Sequence, residues 1–282
     1  MKPYYERDGI TVYVADCMDV LPHLERVDHV ITDPPYSEET HVGARSLRLT
    51  GGEERNEYND PEPRASIGFS AISIDCLREV LALAEPLRWT VGTMDWKHIT
   101  HLHDTPPDNM RFVRFGVWVK PNGAPQFTGD RPATGWEGVG ILHALGGKMR
   151  WNSGGKRAVW THNVIHGVHE TEKPLPLMTE LIADFTDPGD LILDPFAGSG
   201  TTGIAAYQLG RRAILIEKEE KWARAIVSRL ESQTLPLRFE KVEERQGSGQ
   251  LSMLGSVAPG TDGDQVAWEV GLLQPSKVAD RQ

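Results

Sequence analysis

One short segment combines an acid, two prolines and a tyrosine in a pattern suited to chemistry on an amino group. This segment, Asp33-Pro34-Pro35-Tyr36, directly follows the apolar run Val30-Ile31-Thr32. The Asp33 carboxylate and the Pro34 carbonyl are two acceptors for the hydrogens of an exocyclic amine, and the prolines fix the backbone that aims them. The ring of Tyr36 offers a face for a base rotated out of a duplex. We therefore predict that Asp33, Pro34, Pro35 and Tyr36 form a catalytic site.

A glycine-rich segment has the composition of a ligand-binding turn between a strand and a helix. It runs Asp194-Pro195-Phe196-Ala197-Gly198-Ser199-Gly200-Thr201 and follows the apolar run Leu191-Ile192-Leu193. Glycines permit a sharp turn and a close approach of ligand to backbone. Glu217 ends the next apolar run, where a carboxylate can accept from both hydroxyls of a ribose.

The glycine spacing alone leaves two ligand classes open. Gly198, Gly200 and Gly203 satisfy G-x-G-x-x-G, which is also typical of a nicotinamide-dependent dehydrogenase. The Asp-Pro-Phe before the first glycine favours a cationic sulfonium ligand, because binding a diphosphate needs neither an acid nor a bulky ring there. Dehydrogenase chemistry also leaves the Asp33 to Tyr36 segment unexplained.

Together, these two segments resemble the amino-methylating DNA methyltransferases in which the catalytic motif precedes the cofactor motif. The resemblance spans residues 9–232 and includes Val117-Trp118-Val119-Lys120-Pro121-Asn122, a strand and turn similar to the family's. It implies a Rossmann-like α/β fold and S-adenosylmethionine as cofactor. The cofactor-binding residues that it implies in and after the glycine-rich turn are Asp194, Pro195, Phe196, Gly198, Ser199, Gly200, Thr201 and Glu217.

Two further motifs of the resemblance imply cofactor contacts elsewhere. Ala15-Asp16-Cys17 stands where the family usually has Gly-Asp, which implies that Asp16 and Cys17 lie near the adenosine. His169-Glu170-Thr171-Glu172-Lys173-Pro174 is similar to the family's His-x-Thr-x-Lys-Pro. By resemblance, His169, Thr171 and Lys173 lie near the methionine end, and Lys173 meets its carboxylate.

The residue at position 33 bears on the target base. Asp at this position occurs mostly in the family's adenine-N6 enzymes, and Ser mostly in its cytosine-N4 enzymes, so the resemblance favours adenine by analogy. Cytosine-C5 methylation fits poorly because it needs a cysteine nucleophile beside proline, whereas Cys17 and Cys76 each follow an aspartate. An RNA methyltransferase and a DNA-binding protein without catalysis remain alternatives.

Alternating strand and helix patterns predict the framework that positions these motifs. Apolar runs predict strands at 12–14, 30–32, 89–91, 117–119, 191–193 and 213–216, and helical periodicity predicts helices at 73–84, 177–185 and 219–230. A helix up to about Leu209 is predicted after the glycine-rich turn. This alternation predicts an α/β fold with a mostly parallel, doubly wound sheet. The residues from 121 to 167 show no clear period.

Charge is unevenly distributed along the chain. The net charge of -10 argues weakly against a nucleic-acid partner, but residues 111–160 are basic and rich in tryptophan. We predict that double-stranded DNA contacts a basic set in this segment, consisting of Arg131, Lys148, Arg150, Lys156 and Arg157. The catalytic domain is expected to span 1–242, with target recognition in 111–167 and a mobile loop at 37–68.

The last 40 residues, 243–282, are predicted to be a mostly disordered tail because Gly, Ser, Pro and Asp dominate them. Within it, Gln250-Leu251-Ser252-Met253-Leu254 resembles the peptides by which bacterial proteins dock on the DNA sliding clamp, although Leu254 stands where an aromatic is preferred. With two cysteines and no long apolar run, we expect a cytoplasmic protein without metal or membrane span. A homodimer and a restriction partner remain open.

Overall fold

The computed structural model describes residues 1–37, 71–125, 130–165 and 172–233, which form a sheet flanked by helices. The strands are β1 Tyr5–Arg7, β2 Ile10–Val14, β3 His29–Thr32, β4 Trp89–Met94, β5 Met110–Val119, β6 Trp136–Ala144, β7 Val159–Thr161, β8 Leu191–Asp194 and β9 Arg212–Glu217. The helices are α1 Cys17–Val20, α2 Ile74–Leu83, α3 Trp96–Asp104, α4 Leu175–Phe185, α5 Thr201–Gln208 and α6 Glu220–Gln233. A short 3-10 turn, Leu21–His23, follows α1. None of the helices in these ranges is long and apolar enough to cross a membrane.

The strands lie in the order β1-β2-β9-β8-β3-β4-β6-β5-β7. Strands β2, β9, β8, β3 and β4 run parallel to one another, and β7 runs parallel to β5. The β1–β2, β4–β6 and β6–β5 pairs are antiparallel. The predicted α/β fold with a mostly parallel, doubly wound sheet is confirmed.

The centre of the sheet is the point where the direction of strand succession reverses. From β8 the chain continues to β9 on one side, and from β3 it continues to β4 on the other. In open α/β sheets, ligands bind in the crevice outside the carboxyl ends of the strands at such a reversal. The edge formed by the carboxyl ends of β8 and β3 is called the site edge below.

Apolar side chains on both faces of the sheet hold the helices against it. Leu177, Leu181 and Phe185 of α4 are buried on one face, together with Ile204 of α5 and Ile226 of α6. Residues of α1, α2 and α3 form the core of the other face. Full burial of such a side chain stabilises a fold by roughly 1.5–3 kcal/mol, so this packing fixes the sheet under the site.

Much of the range 111–167 forms strands of the sheet, and its role in target recognition stays a prediction. Most of β5, all of β6 and all of β7 fall inside it, and these strands complete one side of the sheet. The β6 and β7 strands and the α3 helix were not predicted. The segment 38–70 and everything after 233, including the domain boundary at 242 and the tail, lie outside the described residues.

Candidate active site

The two predicted motifs meet across the reversal point of the sheet. Strand β3 ends at Thr32 and leads into Asp33, while β8 ends at Asp194 beside it. The Thr32 hydroxyl donates a hydrogen bond of 2.7 Å to Asp194 Oδ1, which joins the two strand ends directly. The catalytic segment and the glycine-rich turn therefore leave the sheet as neighbours.

Asp33 is held by one hydroxyl and one ammonium group. Thr93 of β4 donates from Oγ1 to Asp33 Oδ1 at 2.7 Å, and Lys173 Nζ lies 2.8 Å from Oδ2. Burial raises the pKa of Asp33, while the Lys173 ammonium acts in the opposite direction and favours the carboxylate. The carboxylate is thus positioned as an acceptor at the site edge.

The chain after the catalytic motif is anchored to the start of α3. Asp95 caps this helix by accepting from the His98 amide at 2.9 Å. The same carboxylate accepts from the Ser37 amide at 2.8 Å and from its hydroxyl at 2.7 Å. In addition, the Ile72 amide donates to the Tyr36 carbonyl at 3.2 Å. These bonds fix the backbone on either side of the Tyr36 ring.

A buried carboxylate, Glu137, lies beside the catalytic motif. It comes from the start of β6 and is 6% exposed. Its Oε2 lies 2.7 Å from Lys120 Nζ, and its Oε1 lies 3.2 Å from Lys173 Nζ. The negative charge of Glu137 also acts on the neighbouring Tyr36 hydroxyl and raises its pKa. Burial acts to raise the pKa of Glu137, but the two lysines hold it below its ordinary value.

The ring of Tyr36 faces the ammonium group of Lys173. Lys173 Nζ lies 5.8 Å from the ring centroid, within the range of a cation–π interaction. Burial raises the pKa of the Tyr36 hydroxyl, and Glu137 contributes in the same direction, so the phenol stays neutral. The ring is therefore a fixed aromatic surface next to Asp33.

The glycine-rich turn combines a tight backbone with an open side. Gly198 and Gly200 have φ of +51° and +79°, in the left-handed region that favours glycine. A Cβ at Gly200 would lie 2.7 Å from Ile226 Cγ1, whereas one at Gly198 would meet only the Phe196 carbonyl, at 4.0 Å. The turn is thus packed against α6 at Gly200 and open to a ligand at Gly198.

Glu217 closes the same turn from the end of β9. Its Oε2 accepts from the Gly198 amide at 2.9 Å, and its Oε1 accepts from the Glu219 amide at 2.8 Å. Each carboxylate oxygen has a second lone pair free for a ribose hydroxyl. The open side at Gly198, the half-buried Phe196 ring and the Glu217 carboxylate fit the cofactor that the motifs imply.

Several predicted cofactor residues prove to have inward-facing side chains. Asp194 is 2% exposed, and its carboxylate binds the Thr32 and Thr202 hydroxyls and the Phe196 amide. The Cys17 side chain packs in the core under α1, and burial raises the pKa of its thiol to about 12. Both side chains are thus enclosed by protein, and their role as cofactor contacts stays a prediction. Pro195, Ser199 and Thr201 are also buried.

The remaining predicted cofactor residues have different positions. Asp16 caps α1 through the Met18 amide and pairs with Lys218 Nζ at 3.0 Å, with 40% of its side chain exposed. Lys173 was expected to meet the cofactor's carboxylate, but its ammonium lies between Asp33 and Glu137. His169 and Thr171 lie outside the described residues.

The predicted DNA-binding set is not brought together. Because β6 runs antiparallel to β4, its first residue lies at the site edge and its last at the opposite edge. Arg131 precedes β6 and is exposed, whereas Lys148 and Arg150 follow it, and Arg150 Nη1 pairs with Asp187 at 3.0 Å. Lys148 and Arg150 therefore follow the end of β6 that lies opposite the site edge, and their contact with DNA stays a prediction.

Lys156 is part of the framework. Its ammonium pairs with Asp184 and lies 2.6 Å from Glu180 Oε1, both on α4. Partial burial opposes protonation, but these carboxylates raise the pKa of Lys156. Its assignment as a DNA contact is therefore corrected to an ion pair that holds this segment against α4. Arg157 is exposed beside it.

Sequence reasoning missed Thr93, Asp95, Lys120 and Glu137. In the sequence, Glu137 is one of two acids in the basic segment 111–160, and nothing there shows that β6 lies beside β4. A helix-cap signal was available for Asp95, because an Asp that directly precedes a helical pattern is a frequent N-cap. Lys120 was noticed as part of a family-like turn but received no role.

Comparisons with known proteins connect this geometry to a family. Residues 144–228 match a family model, N6_N4_Mtase, described as DNA methylase. The chain is 29% identical to the type II methyltransferase M2.MboI of Moraxella bovis over 247 residues. This alignment covers 78% of the chain and 87% of the relative.

Solved structures share the fold. The chain is similar to M1.HpyAVI in complex with SAM, with a TM-score of 0.58, 24% identity, and coverage of 78% of this chain and 99% of that one. It is also similar to the PvuII DNA methyltransferase, titled cytosine-N4-specific, with a TM-score of 0.60, 16% identity, and coverage of 81% and 88%.

Proposed function

We infer that this chain is an S-adenosylmethionine-dependent DNA methyltransferase of the family that methylates exocyclic amino groups of bases. The family model and the type II relatives confirm the resemblance that the motifs carry. The observation that carries the inference is the direct junction of the two motifs at the reversal point, through the Thr32–Asp194 hydrogen bond. This junction puts an amine-binding carboxylate next to a turn that is open to a cofactor.

The cofactor, when bound, supplies an electrophilic methyl group on a sulfonium. Gly198, Phe196 and Glu217 would hold it: the glycine gives access to the backbone, the ring an apolar contact, and the carboxylate an acceptor for ribose hydroxyls. Asp16, exposed at the end of β2, is a second acceptor at the same edge, because Val14 pairs with Glu217. The residues at the carboxyl ends of β2, β8 and β9 fit the cofactor because they leave room for it and offer acceptors for its hydroxyl groups.

The chain's own residues act on the target amine. Its lone pair is delocalised into the ring, so the amine is a weak nucleophile. Hydrogen bonds from its two hydrogens to the Asp33 carboxylate and the Pro34 carbonyl favour a tetrahedral nitrogen. Its lone pair would attack the methyl carbon as the carbon–sulfur bond breaks, so that a neutral thioether leaves and one N–H proton passes to water. Tyr36 supplies a stacking surface for the extruded base. Fixed acceptors of this kind need no reorganisation during the reaction.

The target that we propose is the N6 amino group of adenine in double-stranded DNA. Asp at position 33 supports adenine by analogy with the family pattern. Cytosine-N4 is the alternative, and the fold does not select between them, since a protein titled cytosine-N4-specific shares it. Single-molecule sequencing of DNA from cells that express the gene identifies the modified base and its sequence context together. Methyl transfer to transcripts but not to duplex DNA would instead indicate an RNA methyltransferase.

The variant Asp33→Ala tests the assigned role of the catalytic segment. We expect it to abolish methyl transfer while cofactor binding persists, because Asp33 acts on the amine and the cofactor is held by the glycine-rich turn. Transfer of a radiolabelled methyl group measures the first, and calorimetry measures the second. Near-normal transfer by the variant would remove Asp33 from the mechanism. Binding of a nicotinamide dinucleotide instead of S-adenosylmethionine by the wild type would overturn the function.

We also propose that residues 250–254 dock on the sliding clamp, which would concentrate the enzyme near newly made DNA. Gln250 would hydrogen-bond at a pocket edge while Leu251, Met253 and Leu254 supply apolar anchors. Because such a segment orders on binding, we expect modest affinity. Calorimetric titration of a peptide of residues 245–258 against the clamp, with Gln250→Ala and Leu251→Ala controls, measures it. Binding that is indifferent to both substitutions would contradict the idea.

A homodimer, a companion restriction enzyme and a cytoplasmic location remain predictions from the sequence and the relatives. Analytical ultracentrifugation of the purified chain determines the oligomeric state.

A further inference from the structure

The Glu137 carboxylate interacts with functional groups of the site although neither sequence motif contains it. It is buried on β6, and its partners are Lys120, Lys173 and Tyr36. Lys173 in turn holds Asp33 at 2.8 Å. Glu137 is therefore one bridging group removed from the carboxylate that acts on the amine.

Two carboxylates and two ammonium groups form a neutral set in this place. Asp33 and Glu137 carry the negative charges, and Lys173 and Lys120 the positive ones. Lys173 is 8% exposed, so neither water nor salt screens it well. Because Lys173 lies between both carboxylates, the position of its ammonium depends on Glu137 as much as on Asp33.

Stability alone does not explain such a network. Replacing a buried ion network with well-packed apolar side chains is often neutral or stabilising, whereas removing one member leaves an uncompensated charge. The neighbours of Glu137 on this side are Tyr36, whose hydroxyl pKa its charge raises, and Lys173, the lysine that touches Asp33. Each contact thus fixes a group that the proposed reaction uses.

We infer that Glu137 is a positioning residue for methyl transfer, which holds Lys173 and Tyr36 so that the Asp33 carboxylate and the aromatic surface keep their reactive arrangement. This inference rests on the proposed function and assigns Glu137 no contact with the substrate. Lys120 anchors Glu137 from the other side, at the end of β5.

An electrostatic effect accompanies the geometric one. The charged groups that face Asp33 are Lys173 from the segment before α4, Glu137 from β6 and Asp194 from β8. The negative charge of Glu137 raises the pKa of Asp33, which makes its carboxylate a stronger hydrogen-bond acceptor for an amine. Loss of Glu137 therefore lowers the pH at which Asp33 titrates.

The test compares Glu137→Gln, Lys120→Gln and the double variant with the wild type in the full chain. For Glu137→Gln we expect kcat to fall roughly 10-fold to 100-fold with little change in KM, because a misplaced acceptor affects the reaction more than binding. We also expect the acid limb of the pH profile to shift to lower pH. NMR titration of 13C-labelled aspartate, with Asp33→Asn to assign the resonance, should show the same shift without any turnover.

The double variant separates positioning from folding. It leaves no unpaired charge, so it should regain most of the thermal stability that Glu137→Gln loses. It should nevertheless keep the low kcat and the shifted Asp33 titration, since Glu137 is still missing. Recovery of kcat together with stability would overturn the positioning role.

Glu180→Gln is the matched control, because Glu180 also pairs with a lysine, Lys156, but at a distance from Asp33 on α4. We expect this control to leave the Asp33 titration unshifted. An unshifted titration and unchanged kcat in Glu137→Gln would overturn the inference even where the wild type is active. If the wild type transfers no methyl group to DNA, the proposed function fails, and the NMR titration alone then decides whether Glu137 acts on Asp33.

Discussion

The carboxylates of Asp33 and Asp194 both lie at the reversal point, but they have different neighbouring groups. Asp33 faces the ammonium group of Lys173, whereas Asp194 is surrounded by hydroxyls and one backbone amide. Without a cation nearby, burial raises the pKa of Asp194 to about 6, and the charge of Asp33 adds to the effect. Burial thus raises the pKa of both carboxyls, but only Asp33 has an ammonium group beside it that favours the charged form.

The raised pKa of Asp194 predicts a specific dependence of stability on pH. The folded protein holds this proton more tightly than the unfolded chain, whose carboxyl titrates near 3.8. Its contribution to the free energy of unfolding is therefore full below about pH 4, declines as pH rises to about 6, and is constant above that. A shift of this size corresponds to about 3 kcal/mol.

Thermal unfolding of the wild type and Asp194→Asn between pH 4 and 8 measures this contribution. The amide does not ionise, so the variant should gain stability relative to the wild type as pH rises through this window. Curves that stay parallel across the window would contradict a raised pKa at Asp194.

At the scale of the elements, the strands next to the site and the end of β5 were predictable, whereas β6 and β7 were not. The runs at 191–193 and 213–216 are uninterrupted apolar sequences, which is typical of strands buried on both faces. Strand β6 lacks such a run because Gly138 and Gly140 interrupt it. A Cβ at Gly138 would lie 2.4 Å from Ile99 Cδ1 of α3, so the packing of a helix that was itself missed explains the glycine.

The part of the site that lies in contiguous motifs was predictable, whereas the part that depends on strand pairing was not. Asp33, Tyr36, Gly198 and Glu217 belong to contiguous motifs that the sequence predicts at or after the ends of strands, and the structure has them there. Glu137 reaches the site through the antiparallel pairing of β6 with β4, in which Gly138 is opposite Met94. A long-range pairing of this kind leaves no local signal in the sequence.

Substitution by alanine should have different effects at two glycines of the same turn, Gly198 and Gly200. Gly200→Ala should destabilise the fold by about 2 kcal/mol or more, because a left-handed residue and an overlap with Ile226 both cost free energy. Gly198→Ala should cost only about 1 kcal/mol, since its Cβ would face open space. The proposed function has the cofactor approach through this open space, so Gly198→Ala should bind S-adenosylmethionine more weakly.

Chemical denaturation of both variants measures the first difference, and calorimetry with S-adenosylmethionine measures the second. Equal destabilisation by the two substitutions would contradict the packing described for Gly200. Unchanged cofactor affinity in Gly198→Ala would place the cofactor elsewhere.

At the scale of the whole molecule, the direction of the strands determines which basic side chains can meet DNA at the site. Arg131 lies in the connection that enters β6 at the site edge, while Lys148 and Arg150 follow the other end of that strand. A base that reaches Asp33 brings its duplex to the site edge. The net charge of -10 makes the location of each cation more important than the number of cations.

We therefore expect Arg131→Glu to weaken DNA binding and to reduce its dependence on salt concentration, by a slope of about 1 for one lost phosphate contact. The matched double variant, Lys148→Glu with Arg150→Glu, should bind DNA as the wild type does. Fluorescence anisotropy with labelled duplex at several salt concentrations measures both. Weaker DNA binding by the Lys148 and Arg150 double variant than by Arg131→Glu would instead indicate that DNA binds at the edge of the sheet opposite Asp33.

The hydrogen bonds around Ser37 and Ile72 have a consequence for the length of chain between them. The chain leaves the site after Ser37, which is fastened to Asp95, and returns at Ile72, whose amide binds the Tyr36 carbonyl. Departure and return are thus adjacent, and the free energy of closing the intervening segment grows only slowly with its length, by about 0.6 kcal/mol per doubling. The two ends of the segment 38–70 are therefore held side by side by hydrogen bonds of residues outside it, so these bonds do not depend on how many residues separate the ends.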